Sequence, residues 1–289
     1  MIHLISTMMV ASTRSKISGV MGSTSLACWI VLLMPQLIEQ WRLKSVEGIA
    51  IGFISIWFLG DLFNAIGAIW AHLLPEVIFL AIWFCIADSL MIFSYFYYTK
   101  IYHKKHLHHH HGHHHQHSHG ENEEHRPLIR RRSSTLTDIA LEPEYHSIFV
   151  KYILPIIFVI SCGFIGYFLN GSKDQVDKPI DSPHDVISFG PQVMGYCSAI
   201  LYLGARIPQI IQNYQRKSVH GLSLLFFLFS TLGNLTYAGQ ILFYRSDLKY
   251  VVLNLSWLLG SIGTIVEDAI IFIQFYIYRE NSATESIED

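Results

Sequence analysis

Long apolar runs separated by short polar segments dominate the hydrophobic pattern of this 289-residue chain. Several of these runs reach the roughly 20 residues that a helix needs to cross the hydrocarbon layer of a bilayer. The pattern therefore predicts an all-α membrane protein with seven transmembrane helices. The predicted spans cover residues 17–39, 49–71, 75–99, 148–169, 190–213, 221–244 and 250–279.

The chain also matches itself when it is shifted by 173 residues. Between residues 22 and 65, the two copies are identical at 14 of 44 positions, and polar residues and glycines are among them. Each copy places a Pro-Gln pair, Pro35-Gln36 or Pro208-Gln209, near the polar end of an apolar run. Because one span separates two three-span units, both units run in the same direction through the membrane. The predicted fold is therefore two parallel three-helix repeats joined by one linker helix (3+1+3).

Lysine and arginine set the predicted orientation, because cytosolic segments of membrane proteins carry more of these residues. With the N-terminus on the non-cytosolic side and the C-terminus in the cytosol, twelve of them fall in cytosolic segments and six on the opposite side. The predicted regions are a non-cytosolic N-terminal tail (1–16), the first three-helix repeat (17–99), a disordered His-rich cytosolic loop (100–147), the linker transmembrane helix (148–169), a non-cytosolic loop (170–189), the second three-helix repeat (190–280) and a cytosolic tail (281–289).

Composition supports the membrane class and gives no indication of catalysis. Only 15% of the residues are charged, which is less than in a typical soluble domain. The four cysteines all lie inside predicted spans, too far apart for a zinc motif, and we expect free, buried thiols. A phosphate-binding glycine loop, a nucleophile paired with a base and an intramembrane metal motif are all missing from the sequence. We therefore expect no enzyme activity, no cofactor, no metal site and no nucleic-acid partner.

The polar loop 100–147 carries two further patterns. Twelve of the seventeen histidines lie between His103 and His125, and such a tract can bind zinc or copper, although a solvated linker is the simpler interpretation. Glu124 precedes Leu128-Ile129 by four residues, as in the acidic dileucine signals that adaptor complexes read on cytosolic tails. The second pattern predicts an adaptor complex as a partner.

Ionisable residues inside the predicted spans are costly, which makes them candidates for function. Asp61 and Asn64 lie three residues apart on one face of the second span, Asp88 lies in the third and Asp268 in the seventh. Arg206, in the fifth span, can neutralise one of these carboxylates. An unpaired buried carboxylate takes up a proton, so three of them indicate a cationic substrate, a proton relay, or both.

Neutral polar residues form stripes on three spans, which predicts a polar or hydrated interior. Hydrogen bonds between helices, at about 1 kcal/mol per contact, are the alternative explanation for these residues. The stripes are Ser198, Tyr202, Arg206 and Gln209 on the fifth span, Ser223, Ser230, Asn234 and Tyr237 on the sixth, and Asn254, Ser261, Thr264 and Asp268 on the seventh.

The two Pro-Gln pairs, each followed by a KSxxG segment, resemble the PQ-loop repeat family. GDLFN (60–64), ARIPQIIQN (205–213) and KSVHGLS (217–223) look more narrowly like its vacuolar and lysosomal cationic amino acid transporters. The resemblance implies a SWEET-like fold in the membrane of an acidic organelle. It also implies export of lysine and arginine to the cytosol, with histidine as a further candidate.

Together, the resemblance and the polar residues within the spans give two sets of candidates. The two repeats differ at important positions, since Asp61 corresponds to Asn234 and Leu33 to Arg206, so the site is not expected to be symmetric. The substrate-binding candidates are Asp61, Asn64, Asp88, Arg206, Asn234 and Asp268, and the hinge or gate candidates are Pro35, Gln36, Pro208 and Gln209.

The prolines predict hinges. Each one deprives a carbonyl, that of Val31 or Gly204, of its usual amide donor. Because the two prolines lie at matched depth near the cytosolic ends of their helices, we expect them to let those ends open a cytosolic gate during alternating access. A static kink that only shapes the bundle is the alternative.

Two other functions stay open at the level of sequence. A zinc transporter would explain the His-rich loop, but no predicted span has a histidine in its interior to bind the metal. A nutrient-sensing receptor or scaffold would instead use substrate occupancy to change a cytosolic surface. Under the transporter interpretation, the expected partners are the cationic amino acid, protons and membrane lipid.

Overall fold

The computed structural model describes residues 2–43, 51–102, 149–171, 188–219 and 222–278, and most of these residues are helical. The α-helices in these ranges are α1 (Ile2–Leu43), α2 (Ile51–Trp70), α3 (Pro75–Phe96), α4 (Leu154–Gly171), α5 (Phe189–Arg216), α6 (Leu224–Tyr244), α7 (Leu248–Leu253) and α8 (Leu255–Ile277). One π-helical turn, Tyr97–Tyr102, follows α3, and another, Phe149–Ile153, precedes α4.

Four of the described helices are long and apolar enough to cross a membrane, which agrees with an all-α membrane protein. Two shorter apolar helices, Ile54–Trp70 and Leu154–Leu169, also coincide with predicted spans. The fifth predicted span coincides with α5, a 28-residue helix that carries a stripe of buried polar residues. The four long apolar segments are Thr13–Pro35, Pro75–Thr99, Leu224–Tyr244 and Leu255–Ile277.

α1 begins at Ile2, so most of the segment expected to be a luminal tail is helical. The sequence explains this extension, because the first eighteen residues contain neither proline nor glycine and include good helix formers such as Met, Leu and Ala. The 42 residues of α1 rise about 63 Å, roughly twice the thickness of a hydrocarbon layer. The sorting motif Glu124, Leu128 and Ile129, the histidine tract and the tail 281–289 lie outside the described residues.

The seventh predicted span is divided at Asn254, between α7 and α8. The buried Asn254 amide donates to the carbonyl oxygen of Tyr250 at 2.9 Å, a side-chain-to-backbone bond of the kind that competes with regular helix. Asp247 caps the start of α7, because its carboxylate accepts from the Tyr250 amide at 3.1 Å. The Arg245 guanidinium donates to both oxygens of Asp247, and these hydrogen bonds lower the pKa of that carboxyl.

The helices form two trios with the same internal arrangement. In the first, α3 packs against both α1 and α2, and in the second, α8 packs against both α5 and α6. The trios meet through α1 against α6 and through α2 against α5, while α4 packs along α1. The first helix of each trio thus contacts the second helix of the other.

Matched aromatic residues fill matched glycine positions where the trios meet. A Cβ atom at Gly233 would lie 3.0 Å from the Trp29 Nε1 atom, and one at Gly60 would lie 3.1 Å from the Tyr202 ring. Trp29 and Tyr202 are 173 residues apart, as are Gly60 and Gly233. The sequence repeat is therefore also a repeat of packing contacts. The hydroxyl of Ser25 adds a bond across the α1–α6 contact, donating to the Gly233 carbonyl oxygen at 2.9 Å.

Candidate functional site

A cavity lies between the two trios. The volume that the centre of a water-sized sphere can occupy inside it is about 100 Å³. Because about 10–15 Å³ by this measure holds one water, the cavity has room for several. Helices α1, α2, α3, α5, α6 and α8 all contribute to its wall. The lining residues are Trp29, Leu33, Trp57, Asp61, Asn64, Val77, Leu80, Phe84, Asp88, Gly195, Ser198, Ala199, Tyr202, Arg206, Asn234, Tyr237, Ser256, Trp257, Gly260, Ser261 and Thr264.

Two carboxyl groups from the first trio form an acidic wall. Asp61 and Asp88 are 4% and 2% exposed, and their side chains lie within hydrogen-bonding reach of each other. The Tyr202 hydroxyl donates to Asp61 Oδ1, while Asp88 Oδ2 is buried and has no partner within the described residues. Two carboxylates this close can share a proton or bind a cation together. The unpartnered oxygen is therefore an acceptor available to a ligand.

Two amides line the same cavity, one from each trio. Asn64 Oδ1 accepts from the Trp257 indole at 3.0 Å, which fixes the position of the amide. The amide nitrogen of Asn234 donates to the Ser230 carbonyl oxygen at 3.0 Å. Ser256 adds a buried hydroxyl on the cavity wall that lacks a hydrogen-bond partner in the described part of the chain.

Arg206 is the cationic member of the lining, and it is 4% exposed. Its guanidinium donates to Asp268 Oδ1, and Nη2 also donates to the Ser230 hydroxyl at 2.7 Å. Asp268 is fully buried and accepts a second bond from the Thr231 hydroxyl at 3.2 Å. The sequence predicted a carboxylate neutralised by Arg206, and Asp268 is that carboxylate.

The structure therefore brings five of the six substrate-binding candidates to one cavity: Asp61, Asn64, Asp88, Arg206 and Asn234. Asp268 is the exception, because it lies behind Arg206 and does not line the cavity. The physical reason is burial, since a carboxylate with no exposed surface needs a paired guanidinium close by.

The tryptophans and Phe84 on the wall are the part of the site that sequence reasoning missed, whereas Tyr202 and Tyr237 belong to the predicted polar stripes. Trp29 packs edge-on against Phe84, with ring centroids 5.1 Å apart, and Trp57 and Trp257 also line the cavity. Indole faces attract cations, and apolar walls suit the methylene groups of long cationic side chains. The 173-residue spacing of Trp29 and Tyr202 was the available signal for this feature.

The Pro-Gln pairs lie away from the cavity lining, inside continuous helices. Pro35 is half-buried and Pro208 is exposed, while the side chain of Gln36 lies outside the described part of the structure. Gln209 is buried and donates to Asn213 Oδ1 at 2.6 Å. Asn213 in turn donates to Gln274 Oε1 at 2.8 Å, which connects α5 to α8.

Metal binding has no structural support in the described ranges, where no group of three or more His, Cys, Asp or Glu side chains is arranged to hold an ion. The histidine tract between His103 and His125 lies outside these ranges.

Comparison with known proteins places this arrangement in a family. The PQ loop repeat model matches residues 17–77 and 191–250. The vacuolar lysine transporter YPQ1 of Saccharomyces cerevisiae is 33% identical, with 93% of this chain and 95% of that protein covered. The vacuolar histidine transporter YPQ3 of the same yeast is 34% identical, with 91% and 93% covered, and the human lysosomal amino acid transporter 1 homolog is 29% identical, with 93% and 84% covered. The chain belongs to the PQ-loop repeat family.

Proposed function

We propose that this protein transports cationic amino acids (lysine, arginine and histidine) from the vacuole or lysosome to the cytosol. The observation that carries the proposal is the cavity between the trios, where the adjacent carboxyls of Asp61 and Asp88 include a buried acceptor oxygen that no described residue satisfies. Relatives named as a vacuolar lysine transporter, a vacuolar histidine transporter and a lysosomal amino acid transporter support the substrate class.

The acidic wall binds the cationic end of the substrate. Coulomb attraction between an ammonium and a carboxylate is several times stronger in a buried site than in water. Tyr202 holds the Asp61 carboxylate in place, and the amides of Asn64 and Asn234 provide neutral polar groups on either side. When substrate leaves, a proton shared between Asp61 and Asp88 replaces its charge, which makes protons the candidate coupling ion.

The architecture that fits this function is a seven-helix 3+1+3 bundle. In it, α2, α4 and α5 span the membrane with the four long apolar helices, and α7 and α8 together form the seventh span. The matched packing within the two trios supports this arrangement, and α4 then is the linker. The excess of Lys and Arg in the loops supports a luminal N-terminus and a cytosolic C-terminus.

Alternating access in this proposal uses the Pro-Gln pairs as hinges. Pro35 and Pro208 interrupt the hydrogen bonding of α1 and α5 beyond the cavity, on the side proposed to be cytosolic. Gln209 belongs to the hydrogen-bonded chain that holds the end of α5 against α8. Breaking that chain frees the end of α5 to move, and Gln36 has the corresponding position on α1.

Delivery to the vacuole or lysosome is proposed to use the adaptor motif Glu124, Leu128 and Ile129 in the cytosolic loop. The double substitution Leu128→Ala with Ile129→Ala is expected to redirect the protein to another membrane, as imaged with a fluorescent tag. Unchanged vacuolar localisation of this variant would exclude the motif.

Purified protein in proteoliposomes tests the function directly. Uptake of labelled lysine, arginine, histidine and zinc is measured at several pH values, with Asp61→Asn as the site variant. The expected result is saturable uptake of the amino acids, reduced in the variant, and no uptake of zinc. Uptake of zinc alone would favour a metal carrier, and absence of flux despite lysine binding would favour a sensor.

A further inference from the structure

We propose that Arg206 is the receptor for the α-carboxylate of the transported amino acid, and that Asp268 is a positioning residue that neutralises Arg206 when the cavity is empty. This inference rests on the proposed function and adds the second end of the substrate site. Arg206 lines the cavity and Asp268 lies behind it, so the guanidinium stands between its internal carboxylate and the ligand space.

Donor capacity supports this role. A guanidinium has five N–H donors in a planar fork that matches carboxylate oxygens. In the described part of the chain, its hydrogen-bond partners are Asp268 and Ser230. Because Arg206 lines the cavity and these two bonds use only two of its five N–H donors, donors remain for a ligand carboxylate.

Spacing along α5 fits a lysine-sized substrate. Tyr202, which touches Asp61, lies one turn before Arg206 on the same face of the helix, about 6 Å along the axis. The four methylene groups of a lysine side chain extend over about the same distance by standard bond lengths. A single substrate can therefore place its side-chain ammonium at the acidic wall and its α-carboxylate at Arg206.

Stability alone does not account for the ion pair. Replacing a buried ion pair with well-packed apolar residues is often neutral or stabilising, so the pair gives the bundle little that leucine would not give. The first repeat shows the apolar alternative, because the position equivalent to Arg206 is Leu33, which lines the same cavity. The cation at this point thus serves recognition, and Asp268 orients it and balances its charge.

Cadaverine tests the proposal because it is lysine without the α-carboxylate. Affinities of both ligands are measured by calorimetry on the purified full-length protein. The wild type is expected to bind lysine at least about tenfold more tightly than cadaverine, as the loss of a charge-assisted hydrogen bond predicts. Equal affinities in the wild type would overturn the proposal without any variant, and failure to bind lysine at all would overturn the proposed function as well.

Two variants separate recognition from structure. Arg206→Gln combined with Asp268→Asn leaves no buried unpaired charge, and it should lose the preference for lysine while cadaverine binding stays unchanged. Asp268→Asn alone keeps the guanidinium but loosens its orientation, so the preference for lysine should be reduced and not lost. An unchanged preference in Asp268→Asn would overturn the positioning role of Asp268. If the double variant retains the preference, the carboxylate receptor lies elsewhere, although lysine binding by the wild type would still support the proposed function. If the double variant does not fold, Arg206→Met in an Asp268→Leu background replaces it with the same expected outcomes.

Discussion

The cavity wall has two halves, one from each trio. Their lining residues occupy largely equivalent positions in the repeat, but the side chains at those positions carry different charges. Six pairs of lining residues are related by the 173-residue shift, so each half presents its side chains from equivalent points on its helices. The first half contributes two carboxylates and no cation, and the second contributes one cation and no carboxylate. The pairs are Trp29 and Tyr202, Leu33 and Arg206, Asp61 and Asn234, Asn64 and Tyr237, Phe84 and Trp257, and Asp88 and Ser261.

This difference shows how a repeated scaffold can hold an asymmetric ligand. Aromatic positions are shared, because Trp29 and Tyr202 both pack on a glycine of the opposite half. The polar groups differ, and they give the cavity an acidic side and a basic side. A symmetric pair of halves would suit a symmetric ligand, whereas an amino acid with a cationic side chain has opposite charges at its two ends.

The largest effect is expected from moving the carboxylate between equivalent positions. Asp61→Asn should reduce lysine uptake in proteoliposomes by about tenfold or more, because a buried charge pair contributes well beyond the ~1 kcal/mol of a surface pair. Adding Asn234→Asp restores the number of carboxylates but not their place beside Asp88 and Tyr202. Uptake by the double variant should therefore stay low.

Restored uptake in the Asp61→Asn, Asn234→Asp double variant would show that the two halves are interchangeable at this position. Asn234→Ala is the matched control, since it removes a neutral amide from the same cavity. Its effect on lysine uptake should be smaller than that of Asp61→Asn.

The prolines should affect rate and leave affinity unchanged. Pro35→Ala and Pro208→Ala supply an amide to the Val31 and Gly204 carbonyls and stiffen their helices, so lysine flux should fall several-fold while lysine binding is retained. Pro75→Ala is the control, because Pro75 lies in the first turn of α3, where the missing amide costs nothing. Wild-type flux in both hinge variants would assign the prolines a structural role.

A moderate effect on stability is expected where the equivalent glycines Gly22 and Gly195 meet the neighbouring helix. A Cβ atom at Gly195 would lie 2.9 Å from the Cβ of Ser256, whereas one at Gly22 would meet the flexible end of Gln240. Gly195→Ala should therefore cost about 1–3 kcal/mol of overpacking, and Gly22→Ala should cost less. The control is Gly204→Ala, because a Cβ atom added at Gly204 would have no neighbouring atom within 4 Å.

Thermal unfolding in detergent checks this order of stability. Gly204→Ala should be neutral or stabilising, because alanine is the better helix former by up to about 1 kcal/mol. Equal destabilisation by Gly22→Ala and Gly195→Ala would mean that the two contacts are equally tight.

The smallest effect concerns the start of the third helix of each half. Asp247 caps α7 with its carboxylate, while the equivalent Leu74 precedes Pro75 and makes no cap. Asp247→Ala should lower the free energy of unfolding by about 1 kcal/mol, because it removes the cap. Asp247→Asn should lose less, because asparagine is also a good capping residue. Leu74→Ala tests the uncapped start and should lack this hydrogen-bond contribution.

The pH dependence of the Asp247 contribution follows from its lowered pKa. A carboxyl whose pKa is lowered by folding stabilises the protein fully above its unfolded pKa of about 4, and the stabilisation is lost as the pH falls through the folded pKa. The difference in melting temperature between wild type and Asp247→Ala should therefore be constant near neutral pH and shrink only in strong acid. A difference that grew with acidity would contradict this stabilising role of the Asp247 carboxylate.

Sequence predicted much of this molecule because the repeat constrains it twice. The repeat alone indicates that Pro35 and Pro208 lie inside equivalent helices, and helical periodicity alone indicates that the polar stripes on three spans are buried. The break at Asn254 was missed, because a lone asparagine in an apolar run gives no sign that its side chain will bond to the backbone four residues earlier.

The cavity itself needed the structure. Trp57 and Trp257 are 200 residues apart, and no local pattern indicates that they line one space. The pairing of Arg206 with Asp268 was also open, since three carboxylates were available and only the packing of α5 against α8 selects one. Long-range contacts between helices decide such choices, and they leave no periodic trace in the sequence.

The most direct test of the account is an electron cryomicroscopy structure of the purified protein with lysine at saturation. The account predicts one lysine between the two trios, with its side-chain ammonium in contact with Asp61 and Asp88. Lysine bound outside this cavity, or inside it with the ammonium away from both carboxylates, would contradict the assignment of the acidic side.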